Sequence, residues 1–186
     1  MSQGKKRSSK RRSPATTGTG SAAAKAARAR GLASPTRKAR PRIPPPAPLL
    51  AFFIAGVLLD KALRLAVGPL AVMIPIGVVL IVAGLVLMNW ATAAQRRAGT
   101  TEIAWRSSSA LVTDGPFRFS RHPAYVGFLL WYLGASLFVN SVWPLGLLPF
   151  AVVAHHLLIV RPEEVLLRAQ FGQSWDAYAA RVRPWI

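Results

Sequence analysis

The sequence predicts an all-α integral membrane protein: about four transmembrane helices in two hairpins, with a helical C-terminal segment on the cytosolic side. Three observations carry that prediction. The 186 residues are 52% hydrophobic yet bear a formal charge of +18, and the two properties describe different regions. Residues 1–46 hold 13 of the 24 lysines and arginines and no acid, leaving 11 basic and 6 acidic residues to residues 47–186. Behind the basic stretch stand four apolar runs, and the charges between them are distributed very unequally between the two faces. A chain of this length has room for one modest domain, so the division is into a basic tail, 1–46, and a membrane domain, 47–186. Cysteine is absent, which excludes disulfides, thiolate zinc sites and cysteine nucleophiles.

The tail, built from Lys, Arg, Ser, Ala, Gly and Pro, lacks any apolar run. It cannot bury enough surface to offset chain entropy and reads as disordered. No hydrophobic region follows the early charges closely enough for a secretory signal. A solvated topogenic tail is preferred over an organellar transit peptide or a nucleic-acid-binding arm, and nucleic acid is not an expected partner.

The first run, "LLAFFIAGVLLDKALRLAV", spans a bilayer over residues 48–67 if Asp60, Lys61 and Arg64 snorkel near one end. Asp60 and Arg64 stand four apart, the spacing of an ion pair on one helix face. Residues 69–94 carry no charge and form the clearest span, with Pro75 near its start as a candidate kink. A third run opens at Pro123 ("PAYVGFLLWYLGASLFV"), and after a turn, "NSVWP", a fourth covers residues 145–160 and ends at Arg161. With the tail inside, the cytosolic segments 93–122 and 161–186 add 5 and 4 basic residues, and the opposite face keeps only Lys61 and Arg64. That is a positive-inside arrangement.

Two polar segments then face the cytosol together. "GPFRFSRHPAYVG", residues 115–127, packs arginines, a histidine and aromatics before the third run. "RPEEVLLRAQFGQSWDAYAARVRPWI" follows the fourth, with apolar residues at helical spacing and a break at Gly172. It reads as two short amphipathic helices along the membrane surface, with Trp175, Tyr178 and Trp185 as interfacial anchors. Glu163 and Glu164 sit at the membrane boundary, where paired carboxylates are costly unless cations meet them. Arg118 and Arg121 are the candidates across the hairpin. Either the four form an ion-paired helix end, or a zwitterionic ligand lies between them.

These two segments resemble the membrane methyltransferases of the isoprenylcysteine carboxyl methyltransferase and phospholipid methyltransferase superfamily. The resemblance rests on Arg121, His122, Pro123, Tyr125 and Gly127, then on Glu163, Glu164, Leu167, Phe171, Gly172, Trp175 and Tyr178. It covers residues 111–186. It implies methyl transfer from S-adenosyl-L-methionine to a lipophilic or lipid acceptor at the cytosolic membrane face. It further implies cofactor contact at Ala110, Leu111, Val112, Phe117, His122, Pro123, Ala124, Tyr125 and Glu163. Arg121 and Arg161 are the arginines expected to face an acidic acceptor or headgroup. Arg161 lies two residues before Glu163, whereas the family places its arginine about four before. No G-x-G-x-x-G fingerprint of soluble methyltransferases occurs.

The residue chemistry fits a zwitterionic cofactor. Glu163 can bind an ammonium; His122 or a nearby arginine can bind a carboxylate. Phe117 and Tyr125 offer π faces to adenine or a sulfonium. Methyl transfer is a displacement that needs alignment and exclusion of water more than covalent help. His155 and His156 are adjacent and point about 100° apart on a helix, so no shared metal is expected; they read as packing groups or the lining of an acceptor cavity. The competing class is a non-enzymatic membrane adaptor whose tail binds anionic lipid or nucleic acid. Oligomeric state and the identity of the acceptor are not legible.

Overall fold

The computed structural model describes residues 43–99 and 110–186, and the tail expectations for residues 1–42 lie outside the described part. Every regular element among the described residues is helical. The helices are α1 (Ala47–Ala62), α2 (Leu70–Arg97), α3 (Pro123–Val139), α4 (Val142–His155), α5 (Arg161–Phe171) and α6 (Gln173–Ala179). A 3₁₀ turn, Gly115–Arg118, precedes α3, and a π turn, His156–Val160, joins α4 to α5. Two continuous helices are long and apolar enough to cross a membrane: Leu70–Arg97, and Val142–Phe171 with its apolar part ending near Val160. α2 turns large side chains outward, with Val79 66% and Val86 61% exposed, as a helix does when its surroundings are hydrocarbon.

α2 packs along α3, and α1 along α4. The first seam is set by glycine. A Cβ on Gly84 would stand 2.6 Å from the Gly127 carbonyl oxygen, and one on Gly77 would stand 2.7 Å from that of Gly134. The reverse approaches are 2.8 and 2.6 Å, so two reciprocal pairs, two turns apart, bring the backbones into contact. Gly56 meets Pro144 as closely in the second seam. Between the seams Tyr132 is buried with Leu49 and Ala151, its hydroxyl donating to the Pro144 carbonyl at 2.9 Å.

Several expected boundaries move. α1 stops at Ala62 rather than continuing to residue 67, because residues 63–69 are taken up by the turn between α3 and α4. Asn140, in the left-handed region at φ 55°, accepts from the Val67 and Gly68 amides, each at 3.1 Å, and donates to the Gly68 carbonyl at 2.9 Å. The Trp143 indole donates to the Leu63 carbonyl at 2.6 Å. Asp60 is engaged here too, accepting from the Ser141 hydroxyl at 2.9 Å. Arg64 stands past the helix end, so the i,i+4 geometry for an Asp60–Arg64 pair does not exist. The turn itself is shorter than "NSVWP": Ser141 caps α4 by accepting from the Trp143 amide, and α4 begins at Val142. α5 prolongs α4 through the π turn instead of forming a separate surface helix.

Candidate active site

At the opposite end from those turns, residues 115–125 are folded by three local devices. Gly115, at φ 61°, lies against the Trp90 ring of α2 and lets the chain enter the 3₁₀ turn. Pro123 starts α3 at the position where a missing amide costs nothing. Ser120 bridges, accepting from the His122 amide at 3.1 Å and donating to the Pro184 carbonyl at 3.1 Å. The Arg121 amide donates to the Arg183 carbonyl at 2.9 Å, so residues 183–184 form a strap across the arginine–histidine block.

The side chains of this block meet the Glu pair of α5. Arg121 pairs with Glu164 at 3.2 Å. His122, 5% exposed, has a carboxylate at each ring nitrogen: Glu164 Oε1 lies 3.3 Å from Nε2, and Glu163 Oε2 lies 3.8 Å from Nδ1. Tyr125 donates to the same Glu163 oxygen at 2.7 Å, and its ring stacks on His122 with centroids 5.3 Å apart. Basic and acidic side chains thus alternate at the end of a largely apolar helix pair. Arg118, the other candidate partner, is exposed and stays out of the cluster.

Trp175 and Tyr178 support the cluster from beneath. Both are buried, at 4% and 3% exposure, which corrects their reading as interfacial anchors. The Trp175 ring lies 5.7 Å from the Arg121 guanidinium carbon, and the Tyr178 hydroxyl donates to the Phe117 carbonyl at 2.7 Å. Burial pushes the Tyr178 phenol up to about 12, against the opposing pull of Arg121, so this bond keeps its proton. Gly172, at φ 53°, makes the reversal that brings α6 back under the 3₁₀ turn. Trp185 is half-buried against Tyr125, Ile159 and Val160. Trp175 and Tyr178 stand among the residues that carry the resemblance, but their roles, like those of Ser120 and the strap, escape sequence reasoning.

Of the expected site residues, Phe117, Arg121, His122, Pro123, Tyr125 and Glu163 belong to this connected group. Ala124 is half-buried beside it. Ala110, Leu111 and Val112 are half-buried in the irregular segment leading into the 3₁₀ turn. Arg161 is exposed on α5 and makes no ion pair with the cluster.

One donor in the group is unused. Arg121 Nε is buried and has no hydrogen-bond partner. A buried donor on a cation suits an incoming carboxylate. Tyr125 occupies one oxygen of Glu163, and a carboxylate can accept about four hydrogen bonds in all. The donor set therefore fits the ammonium and carboxylate of an α-amino acid held side by side.

The model of the phospholipid methyltransferase family matches residues 72–174, more than half of the chain and a range that includes both halves of the cluster. A "Probable protein-S-isoprenylcysteine O-methyltransferase" of Oryza sativa subsp. indica is 32% identical over 111 residues, 58% of this chain and 57% of the relative. Protein-S-isoprenylcysteine O-methyltransferase B of Arabidopsis thaliana is 34% identical over 110 residues, 57% and 55% of the two chains. The Schizosaccharomyces pombe protein-S-isoprenylcysteine O-methyltransferase is 36% identical over 74 residues, 39% and 30%. The chain spans just over half the length of the first two.

Proposed function

The chain belongs to the phospholipid methyltransferase family, and on that premise we propose that it transfers a methyl group from S-adenosyl-L-methionine to a lipophilic acceptor at the membrane boundary. The observation that carries this reading is the alternating cluster of Arg121, His122, Glu163 and Glu164 with its open Arg121 Nε. Glu163 takes the cofactor's ammonium and Arg121 Nε its carboxylate. Phe117 and Tyr125, with the segment Ala110 to Val112, border the adenosine. The bound cofactor supplies an electrophilic methyl group on a sulfonium. The protein's part is to fix the acceptor in line and keep water away.

The membrane arrangement supporting this has four spans in two hairpins, with the cluster and both termini cytosolic. The positive-inside asymmetry and the meeting of the two turns, residues 63–69 and 140–141, at one end support it. The catalytic unit is residues 47–186. The relatives are named as protein-S-isoprenylcysteine O-methyltransferases, the rice protein as a probable one. For this chain the acceptor belongs to a broader lipophilic class, because Arg161 lies two residues before Glu163 and not about four.

Calorimetric titration of S-adenosylmethionine tests the reading. Glu163→Gln removes a charge-assisted hydrogen bond worth about 1.5–3 kcal/mol, so affinity falls roughly 10- to 150-fold. Glu164→Gln acts only through the orientation of Arg121 and His122. It costs roughly 5-fold, the equivalent of about 1 kcal/mol for a partly exposed ion pair. Folded variants that both bind as wild type would make the cluster a structural ion group and remove the basis for the assignment.

A further inference from the structure

Two side chains close to the cluster make no hydrogen bond or ion pair with it among the described residues. His155 ends α4 fully buried, and neither of its ring nitrogens has a hydrogen-bond partner. The Pro45 carbonyl faces the ring from the segment before α1 but stands outside hydrogen-bond geometry. Nδ1 of His156 is likewise buried without a partner. Both rings lie 6.1 Å from the Trp185 ring, and His155 meets the Tyr125 ring edge-on at 4.8 Å. A leucine or phenylalanine would fill this space without burying three polar atoms, and buried polar groups are as a rule hydrogen-bonded. The backbone is unusual at the same place. The π turn begins at His156, and single π turns within α-helices are frequent at functional sites.

We propose that His155 and His156 form a second polar subsite that receives the head of the methyl acceptor, and that this head is uncharged and protic, a hydroxyl or a thiol. The inference rests on the methyltransferase reading above. Its chemistry follows from the donor set. A neutral imidazole offers one acceptor and one donor, which a hydroxyl or thiol can match with one donor and one acceptor of its own. A buried imidazolium would need a counter-charge, and no carboxylate lies within ion-pair distance of either ring among the described residues. A carboxylate head would need a free buried cation. Arg121 is paired with Glu164 and its open Nε is given to the cofactor's carboxylate, while Arg161 is exposed.

Position agrees with chemistry. His155 precedes Glu163 by about 12 Å of helical rise, on the apolar side. Tyr125 lies between them, its ring against His155 and its hydroxyl on Glu163. A head entering from hydrocarbon therefore meets the histidines while its cofactor is held beyond Tyr125. Trp185, beside both rings, is the cover that the head displaces.

The test uses the full chain in nanodiscs at fixed lipid, titrated with 1-decanol, 1-decanethiol or decanoate and followed by tryptophan fluorescence. Wild type saturates with the alcohol and the thiol, and binds decanoate at least 10-fold more weakly. His155→Leu weakens the first two at least 10-fold while leaving calorimetric S-adenosylmethionine affinity within 3-fold. His155→Gln, which keeps a donor and an acceptor, recovers binding to within 3-fold of wild type. Should the leucine variant fail to fold, His155→Phe keeps the ring volume and carries the same expected loss. A folded leucine or phenylalanine variant that binds both probes as wild type overturns the subsite. So does decanoate binding as tight as that of decanol, or a wild type that saturates with none of the three. Failure of wild type to bind S-adenosylmethionine is a separate outcome, and it overturns the methyltransferase reading from which the subsite is drawn.

Discussion

Tyr178 shows how much a single hydroxyl can hold in this site. It is buried under the 3₁₀ turn and donates to the Phe117 carbonyl, while the neighbouring Trp175 carries Arg121 on its ring. Tyr178→Phe leaves that buried carbonyl without its donor, a loss of about 1–3 kcal/mol. We expect the variant to unfold at lower temperature or denaturant, measured by circular dichroism in detergent. The sign of its pH dependence is also set. The phenol titrates at about 12 in the folded protein, above the usual value of about 10. Its contribution is therefore complete below pH about 10 and is lost as the pH rises toward 12. The gap in stability between wild type and Tyr178→Phe narrows over that window, and a constant gap would mean that the phenol is not shielded from water.

The helices themselves were largely legible, and the places where they were not have physical reasons. Hydropathy locates α2 and α3 because each is a long apolar stretch, and Pro123 marks the start of α3 to the residue. Hydropathy cannot end α1 at Ala62, since the apolar residues Leu63, Leu65 and Val67 continue the pattern; the end is imposed from Asn140, more than seventy residues away in sequence. It also cannot see that α4 runs on into α5, because a π turn leaves no mark in composition. At the site, the Glu pair and its need for a cation were readable, but the choice of Arg121 over Arg118 depends on the strap at Arg183. The burial of Trp175 and Tyr178 depends on the reversal at Gly172. The α2–α3 seam gives a direct element-scale expectation. In Gly84→Ala the new methyl meets the Gly127 carbonyl, and the helices must part, at about 1–3 kcal/mol for overpacking. Because the 3₁₀ turn leans on α2 through Trp90 and Gly115, S-adenosylmethionine affinity falls together with thermal stability. A variant of normal stability and affinity would show that the seam is not close-packed.

At the scale of the whole molecule, the charge asymmetry is expected to set which way the chain faces, and facing decides access to the cofactor. A reporter fused after Ile186 is expected to be active only in its cytosolic form; activity on the other face would defeat the topology and the proposed function together. Deletion of residues 1–40 is expected to leave S-adenosylmethionine affinity within a few-fold, because no motif of the site lies in the tail; complete loss from a correctly inserted protein would make the tail part of the site. The strap has a further consequence, which concerns time. The arginine–histidine block leaves the ribosome roughly 60 residues ahead of the carbonyls at 183 and 184 that hold it, an interval of roughly 3–12 s at ordinary rates of translation. For that interval Arg121 and His122 wait without the backbone that positions them, and for most of it without the carboxylates that meet them. The end that carries the cluster is therefore the last part of the described fold to be completed, and a stalled or truncated nascent chain would insert its helices and yet lack the cluster.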